Sequence, residues 1–428
     1  MSDVGVRLDW TGRELEFDLG AVGHGGFCVA RHDGRVVFVR HGLPGERVRV
    51  RVTEDRGGSF CRADAVVVLR ASVDRVSPPC PMAGPGRCGG CDFQHATPAA
   101  QRKLKSAVVA EQLRRLGGLD RTAEDVEVEE LPGGVDGLRW RTRVRLAVGA
   151  DGRAGLHAHR SATVLAIPDC PQAAPGVLAG VLERCWTPGS EVAAVSDSAG
   201  DQHVIELVAV PDAPGRRPRR GTRPRTRPRV VVGTGRAVQQ AAGRDWEVLA
   251  TGFWQGHVGA AAVYSQVVAQ WASAPVGGTA WDLYGGVGLF AAVLAEQVGP
   301  AGQVISVESS KLAVADATAA LADLGQIRFV TGTVEAALAG LPRPVHTVVL
   351  DPPRSGAGRA VVEAIAAEGP ATVVYVACDP AALGRDVALF GAQGYQLSAL
   401  RAFDAFPMTH HVECIAQFTP QGSASSVD

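Results

Sequence analysis

The chain has 428 residues, which at about 150 per domain points to roughly three domains. A hydrophobic share of 46% against 20% charged residues excludes wholesale disorder, and a net charge of −1 leaves no global field for a polyanion. Apolar runs such as 66–69 and 373–377 are far short of a membrane span, and residues 1–7 lack the charged and apolar segments of a secretory signal. A cytoplasmic monomer with no membrane partner is expected.

From the N-terminus, short strands are predicted at 15–19, 35–40, 46–53 and 63–69, where residues alternate or are β-branched between Gly and Asp breaks. Arg47, Arg49 and Arg51 alternate with valines, so a strand in register places three guanidinium groups on one face. A small β-barrel of the oligonucleotide-binding type over residues 1–72 fits this pattern. A solvated strand face on any small β-domain fits it equally.

Residues 73–244 form a second, central α+β region with a cysteine cluster, a helix over 99–116 and further strands. In Arg139-Trp-Arg-Thr-Arg-Val-Arg145 four arginines alternate against Trp140, Thr142 and Val144, another one-sided basic strand. Residues 214–229 carry eight arginines and four prolines and read as an exposed loop that cannot bury a core. Basic residues are nearly all arginine; Lys103, Lys105 and Lys311 are the only lysines, a bias that genome composition explains.

From 245 to 428 the texture becomes α/β. Short apolar runs at 280–284, 304–307, 328–330, 347–350 and 372–376 alternate with Ala-rich helical stretches, the pattern of a doubly wound parallel sheet. Two last strands, 396–401 and 411–418, fit a closing hairpin.

Chemistry-bearing residues fall at the ends of these runs. Trp281-Asp-Leu-Tyr-Gly-Gly-Val-Gly-Leu-Phe290 leaves a strand for a helix, and its glycines let the backbone approach a ligand at the strand's carboxyl end. Glu308 closes the next strand, placed to accept hydrogen bonds from ribose hydroxyls. The turn alone suits either NAD or S-adenosylmethionine; Asp282 before it and the motifs below favour the latter. Asp351-Pro-Pro-Arg354 follows the fourth strand, where two prolines stiffen the turn and fix the aspartate at the rim of the sheet. Cys378 follows the fifth strand, just before a helix beginning near Pro380, where the helix field lowers a thiol pKa. Glu413 lies on the apolar strand Val412-Glu-Cys-Ile415, and burial there raises its pKa towards that of a general base. Cys80, Cys88 and Cys91, with a remote Cys170, make four candidate thiolate ligands, which suit zinc or an iron–sulfur cluster alike.

The ordered set Cys80/Cys88/Cys91/Cys170, Phe253-Trp-Gln255, Asp282-Leu-Tyr-Gly-Gly-Val-Gly288, Asp351-Pro-Pro-Arg354, Cys378-Asp-Pro380 and Phe406-Pro-x-Thr-x-His-Val-Glu413 resembles the RNA 5-methyluridine methyltransferase family over essentially the whole chain. The resemblance implies an RNA-binding TRAM barrel, a cluster-bearing middle and a class I Rossmann-like catalytic domain. It makes Cys378 the nucleophile and Glu413 the base, and places Gln255, Tyr284, Glu308 and Asp351 around S-adenosylmethionine and uracil. It assigns the four cysteines to a 4Fe–4S cluster. Gly285, Ala377 and Ala319 depart from the family's usual cysteine, serine and asparagine. The implied partner is a ribosomal or transfer RNA loop, and the joint presence of barrel and cluster motif favours ribosomal RNA. Two rivals remain: an amino-group RNA methyltransferase using Asp351-Pro-Pro, which forms no thiol adduct with 5-fluorouridine RNA, and a non-catalytic RNA-binding protein with a structural metal site, which binds no adenosylmethionine.

Overall fold

The computed structural model describes residues 9–210 and 225–422. The first strands are β1 (Glu14–Asp18), β2 (Val22–Gly23), β3 (Phe27–His32), β4 (Arg35–Arg40), β5 (Arg47–Asp55) and β6 (Phe60–Arg70), ordered β1-β5-β6-β4-β3-β2. Between β1 and β2 the chain bends back: Gly20 N–H donates to Val29 O at 2.8 Å and Val29 N–H to Ala21 O at 3.0 Å, which closes the sheet into a barrel. Inward valines at 37, 39, 48, 50 and 52 fill it. The arginines of β5 do share the outer face, as the alternation predicts. They are not bare: β1 lies antiparallel with Arg47, Arg49 and Arg51 opposite Asp18, Glu16 and Glu14, and each pair is joined at 2.8–3.1 Å.

Helix α1 (Pro98–Gly117) starts at Thr97, whose hydroxyl caps Ala100 N–H, and stops at Gly118 in the left-handed conformation. Then follow β7 (Val128–Glu130), β8 (Arg143–Val148), β9 (Ala154–His157), β10 (Val164–Ala166), β11 (Glu191–Ser196), β12 (Gln202–Ala209) and β13 (Thr226–Val232); all but β7 form an antiparallel sheet ordered β10-β9-β8-β11-β12-β13. The expected basic strand face at 139–145 is not formed. Arg139 sits at φ 57°, outside any strand, Arg143 caps the carbonyls of Leu249, Ala250 and Gly252, and Arg145 pairs with Glu191. Of the Arg-rich stretch, 214–224 lies outside the described residues. Residues 226–229 form an edge strand rather than a loop, with Arg229 paired to Glu206.

The hairpin β14 (Arg236–Ala241) and β15 (Arg244–Leu249) precedes the C-terminal body. That body runs α2 (Ala260–Ala272), β16 (Thr279–Leu283), α3 (Leu289–Val298), β17 (Gln303–Glu308), α4 (Lys311–Ala320), β18 (Ile327–Thr331), α5 (Val334–Ala337), β19 (Thr347–Leu350), α6 (Gly358–Ala367), β20 (Thr372–Ala377), α7 (Pro380–Ala392), β21 (Tyr395–Asp404) and β22 (Glu413–Pro420). Its sheet is ordered β18-β17-β16-β19-β20-β22-β21-β7. Strands β16 to β20 are parallel, and β21–β22 close as the expected antiparallel hairpin. Every residue of β19 and β20 is buried, which is why both read as unbroken apolar runs. One core lies beneath α1, α6 and α7, the other beneath α2, α3 and the β14–β15 hairpin. Contacts run across the expected boundaries: α1 meets β2 across 72/73, and across 244/245 α1 packs on α7, β7 extends the C-terminal sheet, and β14–β15 packs on α2 and α4. Among the described residues no helix is long and apolar enough to cross a membrane.

Candidate active site

Strand order reverses between β16 and β19, and a cleft opens outside their carboxyl ends, where doubly wound sheets bind ligands. The cavity there holds about 1350 Å³, and Gln255, Tyr284, Glu308, Asp351, Cys378 and Glu413 all line it. Chain segments separated by more than a hundred residues thus meet at one rim.

The glycine turn sets the floor. Tyr284 adopts φ 62° between β16 and α3, and Gly286 and Gly288 follow at 56° and 83°. Gly285 has a packing reason to lack a side chain: a Cβ there would overlap Ser306 Oγ and Asp282 Oδ2, which are hydrogen-bonded to each other at 2.9 Å. Asp282 is buried beneath the turn and does not line the cavity; burial raises its carboxyl to about 7. Glu308 at the end of β17 accepts from Gly286 N–H at 3.1 Å and Ser310 N–H at 2.6 Å, so its carboxylate is fixed facing the turn.

Cys378 lies between β20 and α7, whose first residue is Pro380 and whose cap is Asp379, accepting from Ala382 N–H at 2.8 Å. Glu413 opens β22, an interior strand paired to β20 on one side and β21 on the other. Burial and the neighbouring Asp351 push the Glu413 carboxyl well above its usual range, as the apolar setting predicts; burial and Asp282 raise Asp351. The thiol departs from expectation. Burial, Glu413 and Asp351 push Cys378 up to about 12, against which Arg354 acts only partly. A helix N-terminus contributes typically 0.3–1 kcal/mol, roughly, and two nearby carboxylates with desolvation exceed it.

The segment carrying Glu413 is held by groups that no motif announced. Lys105, fully buried on α1, meets Asp404 Oδ1 at 2.5 Å and Phe406 O at 3.0 Å. Gln101 Oε1 accepts from Met408 N–H at 2.8 Å, and Gln172 Nε2 reaches Pro407 O at 3.4 Å. The signal was one of only three lysines, set in a helix, where a composition bias hid it.

Cys80, Cys88, Cys91 and Cys170 line a second, smaller cavity of about 50 Å³. Gln94 and Gln172 side-chain amides point at Cys91 Sγ from 2.9 and 3.0 Å, and Gly90 N–H at Cys88 Sγ from 3.4 Å. Among the described residues no group of three or more His, Cys, Asp or Glu could hold a metal ion as the side chains stand. None of the nine cysteines is disulfide-bonded.

Residues 11–66 match the TRAM domain model and residues 343–419 match the tRNA (uracil-5-)-methyltransferase model. An uncharacterized RNA methyltransferase of Streptomyces avermitilis is 47% identical, over 96% of this chain and 99% of its own length. A 23S rRNA (uracil(1939)-C(5))-methyltransferase of Alkalilimnicola ehrlichii is 32% identical, over 94% and 96%. The chain belongs to the RNA uracil-5-methyltransferase family. The crystal structure of a Pyrococcus abyssi tRNA (uracil-54, C5)-methyltransferase, determined with S-adenosyl-L-homocysteine, superposes with a TM-score of 0.70 at 21% identity, covering 95% of the enzyme and all of that chain, and so shares its fold. The TRAM match falls on the barrel, and the catalytic match spans β19 to β22.

Proposed function

We propose that the enzyme transfers a methyl group from S-adenosylmethionine to carbon 5 of a specific uridine, in ribosomal rather than transfer RNA, acting as a cytoplasmic monomer. One observation carries the reading: a sulfur and two carboxylates, Glu413 buried and Asp351 half-buried, meet the glycine turn of β16 in a single cavity at the ends of β19, β20 and β22. The ribosomal preference rests on the 23S relative and on the joint presence of barrel and cysteine cavity.

S-adenosylmethionine, when bound, supplies an electrophilic methyl group on a sulfonium. Glu308, oriented by the turn, fits the ribose hydroxyls; Tyr284 and Gln255 line the approach to the rim. Cys378 adds through its sulfur to uracil carbon 6, which places an electron pair at carbon 5 and splits one hard step into easier ones. After methylation Glu413 takes the carbon 5 proton; the electrons of that bond re-form the ring double bond and the Cys378 sulfur leaves. A thiol held up to about 12 needs its ionisation assisted, and a cation arriving beside Asp351 and Glu413 offsets the field that opposes it. A stacked base cannot reach Cys378, so the uridine enters unstacked.

Cys80, Cys88, Cys91 and Cys170 fit a 4Fe–4S cluster, which supplies structural cross-linking or electron transfer when bound. Four thiols surround one cavity, and amide donors face two of the sulfurs, as around cluster thiolates. The four thiols by themselves suit zinc and iron alike, and it is the family resemblance that favours the cluster. Against the amino-group rival, exposed Arg354 stands where an aromatic would stack on the base.

The test is 5-methyluridine mapping in RNA from a deletion strain, complemented by the wild type and by Cys378→Ala. Loss of one ribosomal site, restored only by the wild type, is expected; an unchanged map, or methylation restored by the alanine variant, refutes the assignment.

A further inference from the structure

Eight residues, 405–412, join β21 to β22 without regular structure, and Glu413 is the first residue after them. Their geometry is set from outside by the N-terminal part of the chain. Asp92, next to Cys91, is the centre of that hold. Its backbone N–H donates to Met408 O at 2.8 Å, as does that of Phe93 at 2.9 Å. Its carboxylate works separately: Oδ2 accepts from His410 N–H at 3.1 Å and lies 2.6 Å from His410 Nδ1, while Oδ1 accepts from Arg40 of the barrel at 3.2 Å. Gly26, in the β2–β3 turn at φ 78°, packs so close that a Cβ there would stand 2.6 Å from His410 Cβ. Barrel, cysteine region and catalytic strand therefore converge on one side chain three residues before Glu413.

We infer that Asp92 is a positioning residue for the general base: by fixing His410 it holds the 406–413 segment so that Glu413 meets the proton on carbon 5. The inference rests on the reaction proposed above. Because Glu413 acts after methyl transfer, a loosened segment slows proton removal while leaving RNA entry, thiol addition and methylation in place. The methylated ring then stays bonded to Cys378 for longer, since the sulfur leaves only as the carbon 5 proton is taken.

The experiment uses full-length protein with Asp92→Ala and Asp92→Asn, target RNA carrying ordinary uridine, and S-adenosylmethionine. Both variants keep the backbone bonds to Met408 O, and asparagine keeps an oxygen acceptor for His410 N–H. A displacement of about 1 Å at a reacting group is worth on the order of 100-fold in rate. Asp92→Ala is expected to lower turnover by about 10- to 100-fold, with RNA and S-adenosylmethionine dissociation constants and visible absorbance of the cysteine site unchanged. A denaturation-resistant protein–RNA band should accumulate, and Asp92→Asn should recover part of the rate. Turnover within about two-fold of wild type, or a loss with no accumulated band, overturns the inference. A wild-type enzyme that forms no adduct with 5-fluorouridine RNA overturns the proposed reaction itself, which separates the two failures.

Discussion

The barrel and the catalytic rim both carry charges on β-strands, and they treat them in opposite ways. On the barrel, Arg47, Arg49 and Arg51 are exposed and each faces a carboxylate across the ladder, a mutual neutralisation of the kind that adds little stability in water. At the rim, Asp351 and Glu413 are drawn together, and burial with their shared negative field outweighs the nearby Arg354, so both carboxyls and the Cys378 thiol rise. Alternation of charge along a sequence therefore says little by itself. What decides the role is whether the neighbouring strand brings the opposite charge or the same one.

The sharpest way to break this contrast is to remove the sulfur. Cys378→Ala should abolish 5-methyluridine formation, below about one part in 10⁴ of wild type by mass spectrometry, with S-adenosylmethionine affinity unchanged. Glu413→Gln should follow, lowering turnover by about 10²–10⁴-fold and trapping RNA on the protein. It also removes one of the charges that raise the thiol, so the pH midpoint of Cys378 alkylation should move down from about 12. An unmoved midpoint would refute the field argument while leaving the chemistry intact.

Next comes Asp282. Its folded carboxyl sits near 7 against an ordinary 3.8, so folding takes up a proton between those values. Its contribution is present in full below about pH 4 and is lost as pH rises through 7, by up to about 4 kcal/mol at 1.36 kcal/mol per unit. Urea unfolding of Asp282→Asn should show a flatter stability profile from pH 4 to 8 than wild type. The smallest effect belongs to the barrel: Arg49→Ala should change stability by less than about 1 kcal/mol. A large loss there would show that the exposed ladder matters more than its solvation allows.

Much of the fold is legible because its strands are punctuated by turns or buried on both faces. Residues 35–40 and 347–350 are strands as expected, as is the helix at 99–116 to within one residue at each end. β2, with two residues, and β7, with three, are too short to carry a period, and β7 is a strand only because β21 supplies its partner. At the site, residue types and strand ends were legible, but the direction of the thiol shift was not. The helix after Cys378 is visible in its own sequence; Asp351 and Glu413, whose fields oppose it, arrive from 27 and 35 positions away. Asp92 and Lys105 escaped for the same reason, since their partners lie some 300 residues downstream.

The buried lysine on α1 has a practical corollary. Asp404 has almost no access to solvent and receives its counter-ion from a helix that a domain dissection at residue 245 would discard. Leaving such a carboxylate alone costs about 3–5 kcal/mol, a large part of the margin by which a domain stays folded. The C-terminal half is consequently no self-sufficient transferase onto which RNA-binding parts were bolted: truncation would strand a charge directly behind the reactive edge of the sheet.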